Sequence, residues 1–334
     1  TMQWPISLIF PLAAFFLSMV GTRLLIGYLT ARKVLDHPNA RSSHQVPTPR
    51  GAGIAVVGVL LTVWIVIGVF EGPRGVSVLS ISAIGMILAG VSLLDDLQGL
   101  GPAVRLTVHT IAVAIALVLV PLPGPIFGGV FPPLVDLIMA GVLWVWFINL
   151  FNFMDGIDGI VGVETLAISI GLFVIARKLG LGEMSMLLSL SIGAVALGFL
   201  RWNWHPAKIF LGDVGSIPLG FVLGWMLLVL AANGAWGPAL ILPLYFFADA
   251  TLTLLRRILK TERLWEAHRE HFYQRAVDTG LRHDQVAWIV GVANLFLIML
   301  SIVAARGLPE AAILGACGAV GMLMFLLVKG GPTD

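Results

Sequence analysis

The chain alternates between long apolar runs and shorter polar connections. Runs long enough to cross a bilayer, about 17 to 25 residues each, fall near 4–29, 51–70, 77–94, 103–121, 134–153, 160–179, 184–200, 216–232, 237–257, 286–305 and 309–328. They predict eleven transmembrane helices. A transmembrane barrel would need shorter segments of alternating apolar and polar residues, a pattern this sequence does not follow. The expected fold is all-α, a polytopic integral membrane protein forming one transmembrane domain over residues 1–334.

The polar residues collect on alternate connections, at 30–53, 95–102, 149–159, 201–215 and 256–285. These segments, the helix ends beside them and Lys329 at the end of the last run hold fifteen Lys and Arg. The opposite side has four, Arg74, Arg177, Lys178 and Arg306, with Arg23 inside the first run left uncounted. Positive charge marks cytoplasmic loops, so the N-terminus is expected in the periplasm and the C-terminus in the cytoplasm. The first run is too long for a signal peptide and leads into a basic loop rather than a small-residue cleavage site, so it reads as a retained span.

Composition agrees with this class. The chain is 58% hydrophobic and 11% charged, with a mean hydropathy of +0.98, against about 25% charged residues in a soluble domain. A net charge of +2 gives no reason to expect nucleic acid as a partner. Cys317 is the lone cysteine, which excludes a disulfide framework and a thiolate metal site.

Candidate chemistry sits on the cytoplasmic connections. Asn149, Asn152, Asp155 and Asp158 recur every three residues in FINLFNFMDGIDG, and on a helix neighbouring members would share a face. Carboxylates at a membrane edge usually mark a functional site. Asp95 and Asp96 end the third run, where negative charge is unfavourable at a helix C-terminus and an adjacent carboxylate pair suits a divalent cation. Asp213 lies in GDVGS, which reads either as a phosphate-holding helix start or as a simple N-cap. In ERLWEAHREHFYQR, the spacing of Leu264, His268, His271 and Arg275 predicts one face of an amphipathic helix, suited to pyrophosphate or to a lipid surface. The first loop pairs His44 and Arg50 with the turn-rich PTPRGAG at 47–53, and both are candidates to cover a substrate. Asp249, inside the ninth run, reads equally as a snorkelling or a hydrogen-bonded residue.

The ordered set of DD at Asp95 and Asp96, NxxNxxDGxDG at 149–159, GDxGS at 212–216 and a His-containing cytoplasmic loop resembles the polyprenyl-phosphate N-acetylhexosamine-1-phosphate transferases, glycosyltransferase family 4. The resemblance covers roughly residues 36 to 284. It implies transfer of a sugar 1-phosphate from a UDP-sugar to undecaprenyl phosphate with release of UMP, at the cytoplasmic face of a bacterial inner membrane. Magnesium is the implied cofactor, with manganese as a substitute, and a homodimer is implied by analogy. Carried across, Asp95, Asp96 and Asp155 are catalytic, and Asp213, Asp95 and Asp96 are metal ligands. His44, Arg50, Asn149, Asn152, Asp158, His268, His271 and Arg275 would bind substrate.

Two departures select a branch. Phospho-MurNAc-pentapeptide transferases usually have a Lys after the Asp pair and a triple His, but here Gln98 and Gly99 follow DDL and the loop reads HREH. The resemblance is therefore to the branch that initiates O-antigen or other surface glycans, with UDP-GlcNAc or a 6-deoxy relative as donor. The phospho-MurNAc-pentapeptide branch is the alternative within the family. A secondary transporter is the alternative from another class, but its binding residues would lie near the midplane. Attack by the lipid phosphate, with Asp95 taking its proton, and attack by Asp95 itself to give a covalent intermediate both remain open.

Overall fold

The computed structural model describes residues 6–38, 46–262 and 269–329. Its long helices are α1 (Ile9–Ala31), α2 (Gly53–Glu71), α3 (Val76–Gln98), α4 (Pro102–Leu119), α5 (Pro133–Phe153), α6 (Ile160–Leu179), α7 (Gly182–Asn203) and α8 (Asp213–Ala232). They are followed by α9 (Trp236–Ile241), α10 (Leu244–Leu259), α11 (Phe272–Asp278), α12 (His283–Ala304) and α13 (Pro309–Lys329). Nine apolar stretches among the described residues are long enough to cross a membrane. One of them, Gly53–Gln98 at 46 residues, is α2 and α3 joined by a 3-10 turn. The protein is an all-α polytopic membrane protein.

The ninth run departs from expectation. It is one apolar stretch in the sequence but two helices in the structure, α9 and α10, separated at Leu242 and Pro243. Proline has no N–H to donate and its ring crowds the preceding turn, so the helix is interrupted there and a separate one starts at Leu244.

Helix α8 is the centre of the bundle. All its residues except Asp213 and Val229 are buried, against α2, α3, α5, α6 and α9. A helix that is apolar on every side needs neighbours on every side. At its start the backbone of α2 comes so close that a Cβ on Gly53 would stand 2.2 Å from the Gly215 nitrogen. Small residues permit this approach.

The same end of the bundle carries the little extended structure present. Strand β1 (Leu35–Asp36) pairs antiparallel with β2 (Thr48–Pro49), and the chain after β2 runs beside the segment that leads into α8. The Phe210 amide donates to the Pro49 carbonyl at 2.8 Å, the Gly51 and Ala52 amides donate to the Phe210 carbonyl at 3.0 Å each, and the Gly53 amide reaches the Leu211 carbonyl at 2.9 Å. These bonds fix Arg50 directly over the start of α8.

Two helical expectations are corrected. Helix α5 ends at Phe153, so Asn149 and Asn152 are helical while Asp155 and Asp158 lie in the glycine-containing connection to α6. Of the amphipathic helix predicted around residues 262–275, the described residues from Arg269 onward are helical only from Phe272. His271 has extended backbone angles at its cap, so His271 and Arg275 do not lie on one continuous helical face. Leu264 and His268 fall outside the described residues.

Candidate active site

Asp213, the first residue of α8, is reached from three other segments. Arg50 places its Nη2 2.7 Å from Asp213 Oδ1 and 2.8 Å from Asp96 Oδ1. Arg105, in the first turn of α4, places its Nη1 3.4 Å from both Asp213 Oδ2 and Asp95 Oδ2. From α5, Asn152 Nδ2 donates to Asp213 Oδ1 at 3.2 Å and to Ser216 Oγ at 2.8 Å. Each arginine thus bridges Asp213 to one member of the Asp95–Asp96 pair.

The carboxylate pair closes the helix ends around it. Asp96 accepts the Asp213 amide at 3.1 Å and the Val214 amide at 2.9 Å, which caps the free N–H groups at the start of α8. Asp95 accepts the Leu100 amide at 2.6 Å and so holds the turn between α3 and α4. The GDVGS segment is therefore capped from another helix, a partnership invisible in local spacing.

A polar cavity of about 240 Å³ opens beside this network. Arg50, Asn152, Asp155, Asp158 and Asp213 line it, together with Asp36, Asn203, Phe210, Gln274 and His283. Burial, reinforced by Asp213, Asp96 and Asp158, pushes the Asp155 carboxyl up to about 7 against the pull of Arg50. Burial also works against the Arg50 charge, but Asp213, Asp96, Asp36 and Asp155 outweigh it and hold the guanidinium above its ordinary value.

Asp158 is clamped by different partners. His205 Nδ1 lies 2.6 Å from its Oδ2 and the Ala207 amide donates to the same oxygen at 3.1 Å. His283 Nδ1 lies 3.3 Å from both that oxygen and the Asp158 amide. Burial raises this carboxyl, yet the bonds from His283, His205 and Ala207 together hold it below the ordinary carboxylate value. The ligand atoms of Asp158, His205 and His283 all lie within 4.8 Å of one another, but the hydrogen bonds already account for their closeness.

The remaining candidates are dispersed. Asn149 donates to the Val145 carbonyl of its own helix at 2.7 Å and does not line the cavity. His271 turns to Asp249, with Nδ1 3.0 Å from Oδ1, and Arg275 lies against the Phe272 ring, 6.0 Å from its centroid. His44 and His268 lie outside the described residues. Asp249 is a hydrogen-bonded core residue: it also accepts the Phe272 amide at 3.0 Å, the Tyr273 amide at 3.2 Å and the Tyr245 hydroxyl at 3.2 Å. It thereby ties α10 to α11, whose Gln274 reaches the cavity.

Sequence reading passed over Arg105, Asp36, Asn203 and His283. Arg105 did carry a local signal, since a cation in the first turn of a helix opposes the helix dipole and needs an acidic partner. The others became visible only when distant segments met.

An apolar cavity of about 580 Å³ lies toward the opposite end of the bundle, lined by α5, α8, α9, Phe247 of α10 and the segment around Phe127. On α8 it begins at Gly224, eleven residues after Asp213, or about 16 Å along the axis.

Residues 78–231 match the glycosyl transferase family 4 model. The chain is 29% identical over 265 residues to an undecaprenyl-phosphate alpha-N-acetylglucosaminyl 1-phosphate transferase of Thermotoga maritima, covering 78% of this chain and 80% of that one. It is 28% identical over 306 residues to a decaprenyl-phosphate N-acetylglucosaminephosphotransferase of Mycobacterium leprae, covering 80% and 76%. A Streptomyces coelicolor protein named only as a glycosyltransferase is 31% identical over 329 residues, covering 94% and 74%.

Proposed function

Because the chain belongs to glycosyl transferase family 4, the polyprenyl-phosphate N-acetylhexosamine-1-phosphate transferases, we propose that it transfers an N-acetylhexosamine 1-phosphate from a UDP-sugar to undecaprenyl phosphate. UMP leaves and a lipid-diphosphate sugar remains. The observation that carries the reading is the meeting of Asp95, Asp96, Asn152, Asp155, Asp213 and Arg50, from separate segments, at one end of the bundle.

The reaction brings two anions together, so the site must neutralise charge and align the reactants. Arg50 and Arg105 are the cations placed to receive phosphate oxygens, Arg50 from the cavity wall and Arg105 beside Asp95. Asp155 is the group suited to take the remaining proton of the lipid phosphate. A base is most effective when its pKa lies near the working pH, and its carboxyl is pushed up to about 7. An oxygen of the lipid phosphate then attacks the sugar-bearing phosphorus, and the bond from that phosphorus to the oxygen bridging it to UMP breaks.

The donor set fits a hard divalent cation, since Asp95, Asp96 and Asp213 offer only carboxylate oxygens. When bound there, magnesium, or manganese in its place, would offset the diphosphate charge as the bond to UMP breaks. The polar cavity suits the polar head of the nucleotide sugar. Gln98 and the HREH loop favour the branch that initiates O-antigen or other surface glycans, with UDP-GlcNAc or a 6-deoxy relative as donor. Basic loops on the site's side favour a cytoplasmic face of the inner membrane.

The test is UMP release by purified protein given undecaprenyl phosphate, magnesium and a panel of UDP-N-acetylhexosamines, with EDTA and lipid-free controls. Release that needs both lipid and magnesium is expected from one donor. Release from no donor by folded protein would overturn the reading.

A further inference from the structure

Outside the site, on the same end of the bundle, three cations surround one aromatic ring. The Trp202 ring at the end of α7 has the Arg23 guanidinium carbon 5.5 Å from its centroid, that of Arg201 at 5.2 Å and Lys208 Nζ at 5.5 Å. No two of these charges can be farther apart than twice 5.5 Å, or 11 Å, which is close to the screening length of about 8 to 10 Å in physiological salt. None of the three has an acidic partner among the described residues, whereas Arg50, Arg105, Arg257, Lys260, Arg269 and Arg282 all do.

The cluster is built into the fold. Helices α1 and α7 run in parallel and in fixed register, with Ser18 Oγ donating to the Val195 carbonyl at 2.8 Å and Trp202 Nε1 donating to the Met19 carbonyl at 2.8 Å. The Lys208 amide donates to the Trp202 carbonyl at 2.8 Å, so the loop turns back and returns its cation to the ring. The three side chains are themselves exposed, and their shared charge repels unless an anion joins them.

The apolar surroundings select the anion. On α1, Val20, Leu24 and Tyr28 beside Arg23 are exposed large hydrophobic side chains, which in a membrane protein face acyl chains. Trp at such a level is typical of the membrane–water boundary, and basic pockets between helices there receive anionic headgroups. A ligand that meets cations at one end and apolar side chains at the other is an amphiphile with a phosphate head.

We propose that Arg23, Arg201 and Lys208 form, around Trp202, a binding site for the phosphodiester headgroup of an anionic membrane lipid. The site is separate from the polar cavity, whose lining contains none of these residues. It sits at the outer end of the segment that continues through Phe210 to Asp213.

The test is native mass spectrometry of the full chain released from nanodiscs of phosphatidylcholine with and without phosphatidylglycerol. Wild-type protein is expected to retain phosphatidylglycerol. The variant Arg23→Gln, Arg201→Gln, Lys208→Gln is expected to lose affinity on the order of 100-fold, at about fivefold for each cation near the surface. The charge-preserving variant Arg23→Lys, Arg201→Lys, Lys208→Arg is expected to retain the lipid, which separates lost charge from lost fold. Equal retention by the wild type and the glutamine variant would overturn the proposal. So would loss of the lipid from the charge-preserving variant, or displacement of the lipid from wild type by equimolar inorganic phosphate.

Discussion

Asp213 is held by Arg50, Arg105 and Asn152 at once, and each of those contacts needs an anionic or acceptor oxygen. Asp213→Asn keeps the size but removes the charge, and UMP release is expected to fall by at least about 100-fold, the scale on which removing one charge-stabilising group acts. Lys329→Ala, at the far end of α13, is expected to leave UMP release unchanged in the same assay. Asp155 makes a pH prediction. A carboxylate base works only when ionised, so with a carboxyl near 7 the rate is expected to rise as pH climbs through about 7 and to level off above it. Asp155→Asn should remove that limb of the profile. The stability sign is opposite: a carboxyl raised on folding favours the folded state below its ordinary value and loses that contribution as pH rises toward the folded value. At this scale Asp95, Asp96, Asn152, Asp155, Asp158 and Asp213 were legible because polar residues are costly beside lipid and stand out. Arg105, His283, Asp36 and Asn203 were not, because an isolated polar residue near a helix end or in a loop is ordinary until its partner is known.

Among the elements, the short helix α11 depends on a residue from another helix. Removing Asp249 leaves the Phe272 and Tyr273 amides without this acceptor and takes away its contact with the His271 ring, at about 1 to 3 kcal/mol for each buried amide left unsatisfied. Asp249→Ala is expected to lower Tm and, because Gln274 lines the cavity, to raise KM for the nucleotide sugar more than it lowers kcat. The pairing of α6 with α12 contains a different polar contact. Glu164 is wholly buried, Asn294 Nδ2 donates to its Oε2 at 2.7 Å, and it has no cationic partner among the described residues. Burying a lone charge is costly, so Glu164→Gln is expected to keep or raise Tm, while Glu164→Ala lowers it. Helix positions were legible because each run is long and apolar. The break at Pro243 was hidden, since residues 237–257 stay apolar through it, and the end of α5 at Phe153 was hidden because an i, i+3 repeat of polar residues continues past the last helical turn.

For the whole molecule, the uneven distribution of basic residues makes an orientation prediction. In a Cys317→Ser background, Arg282→Cys is expected to resist a membrane-impermeant maleimide on intact cells, and Arg74→Cys, on the opposite connection, is expected to react. The reverse pattern would invert the assigned topology. The class of the fold could be read from hydropathy alone, but the centre of the bundle could not. Nothing local distinguishes α8 from ten similar runs, and its enclosure follows from which neighbours it meets. The bridges made by Arg50 and Arg105 bear on what holds this end of the bundle together. Each guanidinium stands between Asp213 and one of the paired acids, so the starts of α4 and α8, the end of α3 and the chain after β2 are cross-linked by the protein's own charges. Under the proposed function, a divalent cation held by the same carboxylates would compete with these arginines for them. EDTA is therefore expected to abolish UMP release while leaving Tm nearly unchanged, and added magnesium is expected to restore release.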